Sequence, residues 1–154
     1  KDSLYTLALK GGEGKYGFID IIDNYGGTKA ANLAQYYAGF AYLNMNKYQE
    51  AIDYLDKFKS DDEMLEPLAL GGIGDAFVQL NQMEEGLSYY EKAANARNNE
   101  FTTPKFLLKA AITAISLNKA DVAIKHLERI KEEYSKSPEA NQVDVHLGRA
   151  QAMK

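Results

Sequence analysis

The stretch "ALGGIGDAF" at residues 69–77 sets Gly72 and Gly74 in the spacing that opens a dinucleotide-binding turn, where bare backbone lets a pyrophosphate approach a helix N-terminus. Phe77 stands where the third glycine belongs and no strand pattern precedes the run, so packing is the expected reason for these glycines. A second candidate, Gly14-Lys15 in "KGGEGKYG", carries the Lys of a phosphate-binding loop. Tyr16 replaces the Ser or Thr that would meet magnesium, however, and Leu9 replaces the first glycine, so a plain turn is expected. Asp61, Asp62 and Glu63 are consecutive carboxylates without the spaced ligands and central glycine of a calcium loop. Their expected role is negative charge at a helix start. The two histidines, His126 and His146, have no sequence neighbours at metal-ligand spacing and read as ordinary surface residues. Asp20 and Asp23 lie three apart on a short helical stretch and read as a solvated face. No nucleophile motif is visible. The expectation is a chain with no catalytic residue, no metal site and no cofactor.

The totals agree with a binding module. A chain of 154 residues with 45% apolar and 26% charged residues is enough for one globular domain with a real core. A net charge of -4 and a pI near 5.2, with no dense Lys/Arg run, argue against nucleic acid or an anionic membrane face as the main partner. The absence of cysteine removes disulfides and thiolate chemistry, and is compatible with an oxidising compartment without demonstrating one. The longest apolar run, "AAITAISL", is too short to span a bilayer. The chain opens on Lys1, compatible with a signal, an anchor or a further element upstream.

What must position any site is a repeat. "YLNMNKYQEAIDYL", "FVQLNQMEEGLSYY" and "AISLNKADVAIKHL" each place an asparagine between two apolar-periodic segments: Asn46, Asn81 and Asn118, spaced by 35 and 37 residues. Asn tolerates the left-handed conformation that ends a helix, so each predicts a hinge between two antiparallel helices. Small residues recur in phase: Gly39, Gly74 and Ala111 before the hinges, Ala51, Gly86 and Ala123 after them. Two small positions flanking a tight turn let helix backbones approach, and the period is that of stacked helix pairs. Gly74 is expected to face its partner helix. Gly71 and Gly72 turn elsewhere, and two helical glycines without a packing role, each costing up to ~1 kcal/mol against alanine, suggest backbone left bare for a partner to approach.

These residues resemble the tetratricopeptide repeat family. The second repeat carries the pattern as Leu70, Ile73 with Gly74, Phe77, Gly86 and Tyr90; the first has Ala38 with Gly39, Tyr42, Ala51 and Leu55, but Gln35 in the place of its first large apolar residue. The third has Leu107, Ala110 with Ala111, Ala123 and Leu127, with Ala114 where an aromatic is usual. The resemblance implies an all-α, right-handed superhelical solenoid of antiparallel helix pairs, one domain over 1–154. Its expected parts are a partial repeat at 1–27, repeats at 28–61, 62–99 and 100–136, and a capping helix at 137–154. Thr28 is expected to cap the first full repeat. Tyr16–Tyr25 reads as the second helix of the partial pair, whose first half involves Ser3–Leu9 or lies upstream. Val143, Leu147 and Ala150 form the inward stripe of the cap.

By the same resemblance the first helices line a concave groove. The first repeat would contribute Leu33, Tyr36, Phe40 and Leu43; the second Leu68, Gly71, Gly72, Asp75, Val78 and Gln79; the third Lys105, Leu108, Lys109, Ile112 and Ser116. Such a groove suits a peptide with apolar anchors and an acidic end. Some family members grip a peptide's terminal carboxylate; Lys105 and Lys109 match the last pair of that clamp, whereas Tyr36, Phe40 and Gly72 do not match the rest. Tyr36 and Phe40 either face the groove or are buried by the partial N-terminal pair.

Over nearly the whole chain the order "GFIDIIDNYGGTKAANLAQYYAGFAYL", "KFKSDDEMLEPLALGGIGDAF", "YYEKAANARNNEFTTP" and "IKEEYSKSPEA" is similar to membrane-anchored bacterial envelope repeat proteins of the YfgM type, associated with the Sec translocon. This implies a periplasmic scaffold or chaperone-like accessory with a protein or peptide partner, held to the membrane by an N-terminal segment. The rival expectation is a structural subunit that uses end or edge contacts and leaves the groove empty. An enzyme ranks last.

Overall fold

The computed structural model of the chain describes residues 2–12, 14 and 16–154. Lys15, the lysine of the phosphate-loop reading, lies outside the described residues. Among those described, nine α-helices and one 3-10 turn follow in order: α1 (Asp2–Lys10), α2 (Phe18–Asn24), α3 (Lys29–Asn44), α4 (Tyr48–Lys57), α5 (Leu65–Gln79), α6 (Met83–Ala96), α7 (Thr102–Ser116), α8 (Ala120–Glu133), the 3-10 turn Pro138–Gln142, and α9 (Val143–Ala152). The architecture is the all-helical solenoid expected, with α1 and α2 as the short N-terminal pair. No described helix is long and apolar enough to cross a membrane.

The three hinges are one motif used three times. Asn46, Asn81 and Asn118 adopt φ of 61°, 58° and 59°. At the first hinge the N–H of Asn46 donates to Leu43 O at 3.1 Å and that of Lys47 to Tyr42 O at 2.9 Å, and the same pair of bonds recurs at Asn81-Gln82 and Asn118-Lys119. This Schellman closure satisfies carbonyls that a helix end would leave unpaired and sends the chain back antiparallel.

Helix starts are also fixed by side chains. Thr28 Oγ1 accepts from Ala31 N at 3.0 Å and caps α3. Asp62 Oδ1 accepts from the N–H groups of Met64 at 2.8 Å and Leu65 at 2.9 Å, so the acidic tract does start α5, and these bonds hold the Asp62 carboxyl below its usual range. Asp20, three residues into α2, reaches back to the N–H of Gly17 at 3.0 Å. It is a capping residue and not a solvated one.

Within each pair the small residues set the spacing. Leu55 of α4 fills the space over Gly39, and a Cβ at Gly74 would meet the Tyr90 ring at 2.7 Å and Gly86 O at 3.3 Å. Ala111 and Ala123 are fully buried in the third pair. Gly71 and Gly72 are buried as well, which corrects the expectation of bare backbone. Phe106 from α7 occupies the space beside Gly71, while a Cβ at Gly72 would lie 2.9 Å from Phe40 and 3.0 Å from Leu55. The glycines are filled by the protein's own neighbouring helices.

Curvature follows from which helices touch. Along the stack α3 and α5 come close together, as do α5 and α7, whereas α4, α6 and α8 stand farther from one another. Side chains bridge α6 and the start and face of α8: Glu84 to Lys119 at 2.8 Å, Glu91 to His126 at 2.6 Å and Asn95 to Arg129 at 2.7 Å. The solenoid therefore curves with α3, α5 and α7 on its inner side. His126 is a correction too: it is 8% exposed and bound to Glu91, not a surface residue, because its position on α8 faces α6. At the end of the stack Val143 and Ala150 are buried and Leu147 packs on the same core, while Asp144, Arg149 and Gln151 face water, as a cap requires.

Candidate binding groove on the inner helices

Every second or third residue on the inner faces of α3, α5 and α7 stops short of full burial, because the next repeat covers only one flank of each helix. Leu33 is 39% exposed; Tyr36, Phe40 and Leu43 are half-buried. On α5, Leu68, Asp75 and Val78 are half-buried and Gln79 is exposed; on α7, Lys105 and Ser116 are exposed, and Lys109 and Ile112 half-buried. Three groove candidates are out of reach: Gly71 lies under Phe106, Gly72 under Phe40 and Leu55, and Leu108 is 8% exposed within the core.

The aromatic end of this face is both packed and open. Tyr36 lies with ring centroids 4.8 Å from Phe40, 5.1 Å from Phe58 and 5.4 Å from Tyr37. Phe58 reaches it because α4 ends one residue earlier and continues extended, with Asn32 clamping the next residue: its Nδ2 donates to Lys59 O at 2.6 Å and its Oδ1 accepts from Lys59 N at 3.0 Å. Burial pushes the Tyr36 phenol up, with Tyr37 and Asp62 nearby adding to the effect. Tyr37 stacks on Phe18 of α2 at 5.7 Å and is still 47% exposed, while Tyr36 is half-buried among Phe40, Phe58 and Tyr37.

The centre is polar. Asp75 Oδ1 accepts from the Tyr90 hydroxyl at 2.5 Å and from Lys109 Nζ at 2.9 Å. Tyr90 reaches the groove from α6 because Gly74 leaves room for its ring; burial, and then the bond to Asp75, push its phenol far up. Around this triad lies an open depression of about 500 Å³ lined by Leu43, Asn46, Tyr48, Asp75, Val78, Gln79, Tyr90 and Lys109. Asn46, Tyr48 and Tyr90 were not among the groove residues read from the sequence. The hinge asparagine signalled Asn46, whereas Tyr90 enters from α6 and carried no signal of its own. Lys109 is committed to Asp75, and Lys105 extends into solvent with its ammonium 5.5 Å from the Phe106 ring, so only Lys105 is left to meet a carboxylate.

Among the described residues no group of three acidic, His or Cys side chains is placed to hold a metal ion. What the face offers is apolar and aromatic surface around one fixed ion pair. A surface of this chemistry is suited to side chains of another polypeptide.

Models of the tetratricopeptide repeat match residues 33–62, 68–100 and 106–137, together more than half of the chain. The chain belongs to the tetratricopeptide repeat family. The matched segments carry all three hinge asparagines and nearly all of the groove. No curated protein matches the chain at a significant level. Among solved structures this tetratricopeptide repeat chain is similar to PcrH, in its crystal structure in complex with the chaperone binding region of PopB. The two are 21% identical, with a TM-score of 0.60, over 84% of this chain and 98% of that one. At this identity the likeness is one of fold.

Proposed function

We propose that the protein is a non-enzymatic scaffold that holds a segment of another polypeptide along the inner faces of α3, α5 and α7. The observation that carries this reading is the half-exposed apolar row Leu33, Tyr36, Phe40, Leu43, Val78 and Ile112, which runs along the inner helices beside the buried core. The fold it shares with PcrH, a chaperone crystallised with a partner's binding region, supports the same reading. Apolar anchors of the bound segment enter beside Tyr36 and Phe40. The segment crosses the Asp75–Lys109 pair with its backbone, and an acidic group toward its other end meets Lys105. Two or three buried anchors of this kind carry most of the affinity of such an interface.

The setting we propose is the bacterial envelope, with the chain as a chaperone-like accessory tethered by an N-terminal segment; its support is the order of sequence segments quoted above. Fractionation of cells producing the full-length protein tests it, and recovery in the soluble cytoplasmic fraction would sink it.

Photocrosslinking in cells tests the groove itself, with the probe at Gln79 and a control at Lys125 on the outer helix α8. Partners captured at Gln79 and absent at Lys125 are expected. A second reading, a structural subunit joined end to end, is favoured by one observation: Leu4 and Leu7 of α1 are 71% and 54% exposed at the N-terminal end of the stack. Crosslinks from Leu4 with none from Gln79 would support it against the groove.

A further inference from the structure

Two apolar side chains stand in water at the loop edge where α5 and α7 begin. Phe101 is 73% exposed and Met64 39%, each just before the first turn of its helix. Neither belongs to a loose segment. Asn99 Oδ1 accepts from the N–H groups of Phe101 at 2.9 Å and Thr102 at 2.7 Å, and its Nδ2 donates to Glu63 O at 3.0 Å. Asp62 fixes the N–H of Met64 in turn, and Arg97 Nε donates to Glu66 Oε2 at 2.8 Å across the same two loops. One asparagine thus ties the backbone next to Met64 to the backbone of Phe101, and the two apolar groups share one rigid edge. A ring already held in place has little freedom left to lose on binding, so its burial against a partner is offset by little ordering cost.

Charge identifies the partner. Asp61, Glu63 and Glu100 are exposed beside the two apolar groups. Of the cations nearby, Arg97 is paired with Glu66 and stands close to Asp61 and Glu63. Lys59 and Lys105 are exposed, and Asp61, Asp62, Glu63 and Glu100 outnumber them. An edge that presents carboxylates around apolar side chains repels nucleic acid and anionic bilayers and attracts lysine and arginine. We propose that this edge docks a cationic amphipathic polypeptide segment, its apolar side chains on Phe101 and Met64 and its basic side chains against Asp61, Glu63 and Glu100. The site is separate from the groove and does not depend on what fills it.

The test titrates the whole chain with a short amphipathic Lys/Leu peptide and its Glu/Leu counterpart, by fluorescence anisotropy at two salt concentrations. The Lys/Leu peptide should bind and the Glu/Leu peptide should not. Phe101→Ser should weaken binding by about tenfold or more without lowering the melting temperature, since so exposed a ring supports little of the fold. Glu63→Gln combined with Glu100→Gln should weaken it and reduce its salt dependence, while the groove variant Leu33→Ser should leave it unchanged. No binding of the Lys/Leu peptide overturns the proposal, as does equal binding by Phe101→Ser or a loss confined to Leu33→Ser. A dimer in sedimentation that Phe101→Ser dissociates would also overturn it, by making a second copy of the chain the occupant.

Discussion

The ring of Phe106 fills the space that a side chain at Gly71 would occupy, so an aromatic residue of the third repeat rests on the bare backbone of the second. Phe106 is 2% exposed and Gly71 is buried with it. Alanine at this position gains helix propensity of about 1 kcal/mol but overpacks a rigid contact.

Gly71→Ala should therefore lower stability by ~1 to 3 kcal/mol, read from urea unfolding. Gly148→Ala on α9, where a Cβ would meet nothing, should raise it by ~0.5 to 1 kcal/mol. If both variants moved the midpoint the same way, the account of the glycine pair would fail.

The hinges predict a contrast of a different kind. At Asn118, with φ of 59°, alanine should cost ~1 kcal/mol because its Cβ crowds the left-handed conformation, while glycine should match or exceed the native residue. Midpoints that agree for Asn118→Ala and Asn118→Gly would show that the asparagine serves some other purpose.

Tyr90 predicts a pH dependence. Its phenol is raised above the ordinary value of 10.0, so it stays protonated in the folded chain while the unfolded chain ionises. The stabilisation is whole below pH 10 or so and is lost as pH rises through and beyond that value. Tyr90→Phe should cost ~1 to 2 kcal/mol near neutrality by removing the bond to Asp75. It should also flatten the alkaline decline measured by chemical denaturation. Tyr36, Tyr54 and Tyr89 are raised as well, so the slope should shrink and not vanish.

For the groove, Leu33 is the cleanest probe, since at 39% exposure its truncation removes little core packing. Leu33→Ala should weaken a captured polypeptide by ~1 kcal/mol, about fivefold, with the melting temperature nearly unchanged. A melting temperature that falls in step with affinity would instead make Leu33 a structural residue.

How much of this was legible in the sequence depended on whether the cause was local. Asn46, Asn81 and Asn118 announced their turns because backbone conformation is a property of the residue itself, and the Thr28 cap and the stripe on α9 were legible for the same reason. Gly71 and Gly72 misled because what fills the space beside them comes from Phe106 and Phe40, more than thirty residues away in the chain. His126 misled likewise, its partner Glu91 lying on a different outer helix. Within the site, residue types on α3, α5 and α7 could be read by period. The part played by Tyr90 could not, since it enters from α6 and reaches Asp75 only where Gly74 leaves room.

The two layers of the solenoid are linked differently. Inner helices approach closely, with Phe40 and Phe106 wedged onto α5, whereas the outer helices α6 and α8 stand farther apart and are linked by extended side chains, Glu84–Lys119 and Asn95–Arg129. A rod built this way has its neutral axis near the inner wall. When the chain flexes, strain is taken up by stretching and relaxing the outer links, and the spacing of Leu43, Val78 and Ile112 along the groove stays nearly constant. A bound segment would then ride on a surface of fixed pitch while the outer side of the protein moves.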